Sequence, residues 1–231
     1  MLTNEWIGHG LAGLLGIRHA PYGLVEVSPE VLPDGDCLLI HDDDGDEVRL
    51  LPGVHFYSRW MEPAQDLKPE DLSLSGMVAD LGMLAGVVVL DTLLDQRDRK
   101  PLNPNLLLVR QGGRASLYLM DMGMAIRSAV WGMGDLLDPG LPDAEAPLPY
   151  SVPPTDLLRV VRAPQDFAPY LAAVSALGRA DLEQVVDGLP PAWGITVEER
   201  EALVDYLLHR AQALPAYFQA RFARQRREWW E

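Results

Sequence analysis

The chain has 231 residues, of which 34 are acidic and 19 are basic, so its formal net charge is −15. This charge disfavours a general DNA- or RNA-binding protein, because neutralising phosphates requires clustered lysine and arginine. It leaves nucleotide binding open, since a metal ion can bridge carboxylates to phosphates. Cys37 is the only cysteine, which excludes an internal disulfide and fits a reducing compartment.

The first twenty residues show neither the basic start nor the long apolar core that is typical of a signal peptide. No segment reaches the roughly 18 consecutive apolar residues that a membrane-spanning helix needs. Asp91 interrupts the longest apolar segment. We therefore expect a cytoplasmic protein with no membrane contact.

Residues 3–16 carry apolar side chains at helical spacing and end at a glycine, which predicts a helix. Alternating apolar residues over 24–27 predict a strand, and residues 36–51 predict a hairpin around an acidic, glycine-containing turn. The proline-rich segment 52–73 is typical of a connector between lobes. We place the boundary after residue 62, giving units 1–62 and 63–231.

Apolar density over residues 77–94 predicts a helix buried on most sides. Two short strands around the pair Gly112–Gly113 follow. Residues 135–158 are rich in proline and predict a linker. The remainder predicts helices near 165–177, 180–187, 197–211 and 214–228, and Thr196 with Glu199 forms a capping-box pattern at the start of the third.

The segment between the buried helix and the hairpin contains the most distinctive chemistry. Asp98 is followed by Asn103 five residues later, and the hairpin then leads into Asp121-Met122-Gly123. Phosphotransferases use one carboxylate to orient the attacking hydroxyl, and an amide with a second carboxylate to hold Mg²⁺. The hairpin would bring its two ends together, and Gly123 would let the chain turn sharply. Either motif alone is more often a plain polar loop or turn, but the ordered combination favours phosphoryl transfer.

The segments around these motifs resemble the HipA-like kinases, above all their compact bacterial branch. "LDTLLDQRDRKPLNPNLLLV" followed by "LYLMDMGMAI" is similar to that family's catalytic core. "LTNEWIGHGLAGLLGIRHAPYGLVEV" resembles its Asn-Glu helix and the strand after it, and "PGVHFYSR" its Gly-x-x-Phe-x-Ser segment. "LPPAWGITVEEREALVDYLLHRAQAL" resembles its C-terminal helices, so the similarity covers most of residues 3–215.

The resemblance implies an α+β, protein-kinase-like fold, with a reduced N-terminal lobe and a mainly helical C-terminal lobe. It implies ATP and Mg²⁺ as cofactors, a Ser or Thr hydroxyl as the phosphate acceptor, and a protein as a candidate substrate. It also implies that Asp98 is the catalytic aspartate and that Asn103 and Asp121 hold the metal.

Three further residues are candidates for roles around the nucleotide. By the same resemblance, Asn105 supports the loop and Arg99 positions the loop or a phosphate. Glu5 corresponds to the helix glutamate that pairs with a nucleotide-holding lysine. The residues themselves also suggest Arg59 as a phosphate contact, because a guanidinium fork suits phosphate.

The chain departs from the family pattern at three places. Gln96 stands where the family has asparagine, and Met122 stands where it has histidine. The strand with the phosphate-binding lysine would precede Asn4, and we expect this chain to lack it. The alternative function is therefore a catalytically inactive, nucleotide-binding pseudokinase or truncated kinase that acts as an interaction module. A third reading is an α/β domain of unknown role.

Overall fold

The fold is known from a computed structural model, which describes residues 1–32, 38–41, 47–68, 80–96, 98–99, 104–111, 113–141 and 164–224. Helices and small antiparallel sheets alternate in the first half of the chain, and the C-terminal part is helical. The predicted mixture of α and β structure is confirmed at this level. None of the described helices is both long enough and apolar enough to cross a bilayer.

The N-terminal elements are the helix α1 (Leu2–Leu14) and the strands β1 (Tyr22–Val27), β2 (Leu38–His41), β3 (Glu47–Leu50) and β4 (Gly53–Ser58). The predicted helix, strand and hairpin are confirmed, with β2 paired antiparallel to β3. The turn of that hairpin, residues 42–46, lies outside the described residues. Strand β1 pairs antiparallel with β4, in the register Tyr22↔Ser58 to Val27↔Gly53.

The β4 strand corrects the prediction that residues 52–73 form only a connector. Pro52 and Gly53 favour a loop locally, but the residues after them alternate between the two faces of a strand. Phe56 stacks on Tyr22 with ring centroids 5.7 Å apart, and its ring lies 5.1 Å from that of His9 on α1. Packing on α1 therefore outweighs the local turn signal.

A third sheet contains β5 (Ala64–Asp66), β6 (Leu106–Gln111) and β7 (Arg114–Leu119) in that order. The hairpin of β6 and β7 is confirmed, and Gly113 supplies the left-handed backbone of its turn with a φ of +81°. The short strand β5 was not predicted. An isolated bridge from His19 to Leu119 ties the segment after α1 to β7.

Helix α2 (Met83–Leu94) is buried along its whole length, as expected. It begins later than predicted, and residues 77–79 of the predicted helix lie outside the described residues. The helices α3 (Met133–Leu136), α4 (Ala168–Ala176), α5 (Arg179–Asp187) and α6 (Val197–Arg224) follow. Most of the predicted linker, from residue 142 onward, lies outside the described residues. The side chains of α1, α2, β6, β7, α5 and α6 form one continuous hydrophobic core.

Helix α6 corrects the prediction of two separate helices over 197–211 and 214–228. It runs unbroken through Pro215, although a proline inside a helix costs about 3 kcal/mol. Buried apolar residues continue in phase on both sides of the proline, as at Leu207, Leu214 and Phe218. Packing of this continuous face offsets the cost. At the start of the helix, Thr196 and Glu199 form the predicted capping box through reciprocal hydrogen bonds of 2.9 and 3.1 Å.

Candidate active site

The candidate site begins where α2 ends. Asp95 terminates the helix in the left-handed conformation, with a φ of 52°. One turn earlier, Asp91 is fully buried inside the helix and binds Arg99, which is also buried. The Arg99 Nε and Nη2 atoms donate to the two Asp91 carboxylate oxygens at 2.6 and 3.0 Å. A bidentate pair of this kind fixes both the position and the orientation of the loop segment that carries Arg99.

Arg99 also holds the far side of the same loop. Its Nη1 atom donates to the backbone oxygens of Pro104 and Asn105 at 2.5 and 3.0 Å. With 1% of its surface exposed, Arg99 has no access to a phosphate. Of the two roles that the resemblance left open for Arg99, the structure favours shaping the loop.

The next residue back, Asp98, is half-buried beside Asn105. The Asn105 amide donates to Asp98 Oδ2 at 3.4 Å, so Asn105 supports the predicted catalytic carboxylate. Asn105 adopts the left-handed conformation, with a φ of 49°. Its backbone oxygen accepts the Met120 N–H at 3.2 Å, which joins the loop to the end of β7. Asn103, the predicted amide ligand of the metal, lies outside the described residues.

Asp121 follows β7 and also has a left-handed backbone, with a φ of 52°. The sharp turn therefore occurs at Asp121, whereas we predicted it at Gly123. Gly123 instead leaves room for its neighbours. A Cβ atom there would lie 3.0 Å from Met1 Cγ and 3.3 Å from Glu5 Oε1, so these side chains would have to shift by a few tenths of an ångström. The Gly123 N–H donates to Asp121 Oδ1 at 3.2 Å, which orients the carboxylate.

Glu5, on α1, lies against this turn. Its Oε2 atom accepts the Met122 N–H at 3.1 Å. Burial, together with the neighbouring Asp121 carboxylate, raises the pKa of Glu5 to about 7, against the opposing effect of the Met122 and Gly123 N–H groups. Two carboxyl groups thus lie side by side where α1 meets the end of β7. A cation between them would relieve their repulsion.

Two residues that were not among the predicted site residues hold this turn in place. Asn4 Nδ2 lies 2.7 to 2.9 Å from the backbone oxygens of Gly123, Ala125 and Ser128, so its two hydrogens are shared among three acceptors. The Gln96 amide donates to the backbone oxygen of Asp121 at 3.1 Å. Glutamine, which stands here in place of the family's asparagine, therefore still provides a hydrogen-bond donor. The adjacent Asn4-Glu5 pair was singled out only by resemblance, and no periodicity or spacing pointed to Asn4.

Met122 also has a specific environment. It is fully buried, and its sulfur lies 3.7 Å from Arg99 Nη2. A Cβ atom on Gly8 would lie 2.4 Å from the Met122 Cβ, so only glycine allows α1 to approach so closely. Methionine fills this buried position.

The structure therefore links five of the six predicted site residues that it describes. Asp98, Arg99 and Asn105 lie in one hydrogen-bonded loop, and Gln96 and Met120 join that loop to the turn that contains Asp121 and Glu5. The exception is Arg59, which lines a separate cavity that none of the other five lines. Its phosphate contact stays a prediction.

Asp91 supports the candidate loop and could have been identified from the sequence. A single carboxylate inside an otherwise apolar helix is expensive to bury without a partner. Arg99, eight residues further on, is the cation that satisfies it.

No protein-family model matches this chain, and no curated protein matches it either. Within the described ranges, no group of three or more histidine, cysteine, aspartate or glutamate side chains is placed to hold a metal ion. Magnesium is commonly held by one or two carboxylates together with substrate phosphates and waters. The hard oxygen donors of Asp121 and Glu5 suit that mode of binding.

Proposed function

We propose that this chain is an ATP- and Mg²⁺-dependent phosphotransferase of the HipA-like type, which transfers the γ-phosphoryl group to a Ser or Thr hydroxyl. Residues 1–62 would form a reduced N-terminal lobe, and residues 63–231 a larger C-terminal lobe. One observation carries the proposal: the loop with Asp98 and the turn with Asp121 belong to one hydrogen-bonded unit, against which Glu5 packs.

In this proposal each group has a separable task. The Asp98 carboxylate accepts a hydrogen bond from the acceptor hydroxyl and orients its oxygen toward the phosphorus atom. Asn105 and the buried Arg99–Asp91 pair hold that carboxylate and its loop in position. Asp121, together with Asn103 outside the described residues, would hold Mg²⁺. When bound, Mg²⁺ neutralises charge on the phosphate oxygens.

A specific observation favours the inactive alternative, a nucleotide-binding interaction module. In the described part of the chain, no lysine or arginine forms an ion pair with Glu5. The His9 ring lies 3.5 Å from its carboxylate, but burial lowers the pKa of His9 to about 4, so this ring is neutral at pH 7. Active kinases pair the corresponding glutamate with a lysine that holds the α- and β-phosphates. Without that lysine, nucleotide could bind at this site and still turn over slowly or not at all.

Two measurements separate these functions. The first is the rate of ADP release from ATP in the presence of Mg²⁺. It is measured for the unmodified chain and for the variants Asp98→Asn and Asp187→Asn. Asp187 is an exposed aspartate on α5 and provides a control with the same change of charge. We expect Asp98→Asn to lower the rate by about 10²- to 10⁴-fold, in the range for a lost acid–base group, and Asp187→Asn to leave it unchanged. Equal rates for Asp98→Asn and the unmodified chain would refute the catalytic assignment.

The second measurement is the thermal shift that millimolar Mg-ATP produces, because a ligand that binds the folded state must stabilise it. A shift that is lost in Asp121→Asn, without turnover in the unmodified chain, would identify the inactive module. Turnover that depends on Asp98 would identify the kinase. The absence of both turnover and shift would refute both functions.

A further inference from the structure

A cavity of about 480 Å³ lies where the segment after α1 meets the segment after β4 and the outer face of β7. This volume is within the range of small-molecule sites, about 300 to 1,000 Å³. Glu5, Asp98 and Asp121 do not line it. The side chains that matter for recognition are Arg18, His19, Arg59, Trp60, Glu62 and Tyr118.

Backbone hydrogen bonds hold the walls of the cavity together. The Arg59 N–H donates to the Pro21 oxygen at 2.8 Å, and the Leu119 N–H donates to the Arg18 oxygen at 2.8 Å. The three segments that form the walls are thus tied to one another independently of any ligand. A preformed site of this kind loses little conformational entropy on binding.

The two arginines differ in how far they are already engaged. Arg18 forms an ion pair with Asp80 at 2.7 Å, and its guanidinium lies 5.5 Å from the centroid of the Tyr118 ring. The exposed Arg59 guanidinium makes no hydrogen bond or ion pair with any residue that the structure describes. Arg59 is therefore available to an anion, and a guanidinium binds a carboxylate through two parallel hydrogen bonds.

The cavity offers one guanidinium to a ligand. Arg18 is already paired with Asp80, so Arg59 is the arginine left for an anion, beside the single lining carboxylate of Glu62. One available guanidinium suits one negative charge. A monoanion matches the cavity better than a phosphate monoester or a nucleoside triphosphate, which carry two or more negative charges.

An aromatic surface lies beside the available guanidinium. Trp60 is 79% exposed, and its indole N–H donates to Glu62 Oε1 at 3.0 Å, which restrains the ring. Tyr118 provides a second ring in the wall. Planar rings bind such surfaces by stacking or edge contacts. We propose that this cavity binds a small aromatic carboxylate, with its ring against Trp60 and its carboxylate on Arg59.

The test uses 1-naphthoate as the probe and ligand-observed NMR titration on the full chain, with neutral 1-naphthalenemethanol as its isostere. We expect naphthoate to bind at least tenfold more tightly than the alcohol. Arg59→Gln should raise the dissociation constant for naphthoate about tenfold, because a charge-assisted pair is lost. Trp60→Ala should raise it about fivefold. Arg114→Gln, which changes an exposed arginine at the far end of β7, should leave it unchanged.

Three outcomes would overturn the proposal. The first is equal binding of naphthoate and the alcohol. The second is equal weakening by Arg59→Gln and Arg114→Gln, since that would mean that only overall charge matters. The third is competitive displacement of naphthoate by Mg-ATP, which would assign the cavity to the nucleotide. Asp98→Asn should bind naphthoate normally, so that this site and the proposed phosphotransferase site are tested separately.

Discussion

Replacing Glu5 by glutamine tests the contact between the carboxyl groups of α1 and the turn after β7. Glutamine keeps the shape of the side chain and can still accept the Met122 N–H. Its amide can also donate to the neighbouring Asp121 carboxylate. The substitution therefore removes the ionisation of Glu5 and leaves its packing intact.

The expected magnitude follows from the pKa of Glu5. Folding raises this pKa from 4.5 to about 7, so the folded chain keeps a proton that the unfolded chain has lost between those values. Stability due to this group is therefore present at low pH and is lost as the pH rises toward and past 7. By pH 8 the free energy of unfolding has fallen by about 3 kcal/mol because of this group. About 2 kcal/mol of that decrease occurs between pH 5.5 and pH 8.

Urea unfolding of the unmodified chain and Glu5→Gln at pH 5.5 and pH 8 measures this difference. These conditions avoid the isoelectric point near 4.6, where solubility is poor. Groups other than Glu5 titrate in both proteins, so their effects largely cancel in the comparison. Between pH 5.5 and pH 8, we expect the free energy of unfolding of Glu5→Gln to rise by about 2 kcal/mol relative to that of the unmodified chain. Glu201→Gln, at an exposed position on α6, should show no such gain. Parallel pH dependence for Glu5→Gln and the unmodified chain would refute the raised pKa of Glu5, and with it the burial of its carboxyl group beside Asp121.

Three further substitutions test other parts of the site and fold by urea unfolding. Arg99→Met should destabilise the chain by about 3–5 kcal/mol, because it leaves the Asp91 carboxylate buried and unpaired, and adding Asp91→Leu should restore much of that loss. Asn4→Leu should cost about 2–4 kcal/mol, since the carbonyl groups that it binds would lose a donor. Pro215→Ala should stabilise α6 by about 1–3 kcal/mol by restoring a hydrogen bond to the Ala211 oxygen, and no gain would show that the helix has already adapted to the proline.

Local patterns were sufficient for the elements whose stability is local or whose apolar face is continuous. Helix α1, the hairpin of β6 and β7 and the buried helix α2 follow from periodicity and from glycine turns. The errors came where tertiary packing opposed a local signal. Residues 53–58 form a strand because Phe56 packs on α1, and Pro215 lies inside a helix because its buried face continues past it.

The sequence by itself determined the order and spacing of Asp98, Asn103, Asp121 and the hairpin between them, because these residues are close along the chain. Only the tertiary structure showed which groups from distant parts of the chain contact this segment. Glu5 meets Met122 across 117 positions, and Asn4 meets Gly123 across 119. The tertiary structure also decided that the Arg99 side chain points into the protein. The buried Asp91 carboxylate would be costly without a cation beside it, so Arg99 pairs with Asp91 and not with solvent or a phosphate. Such choices depend on burial and on contacts between remote segments, and neither is encoded in local periodicity.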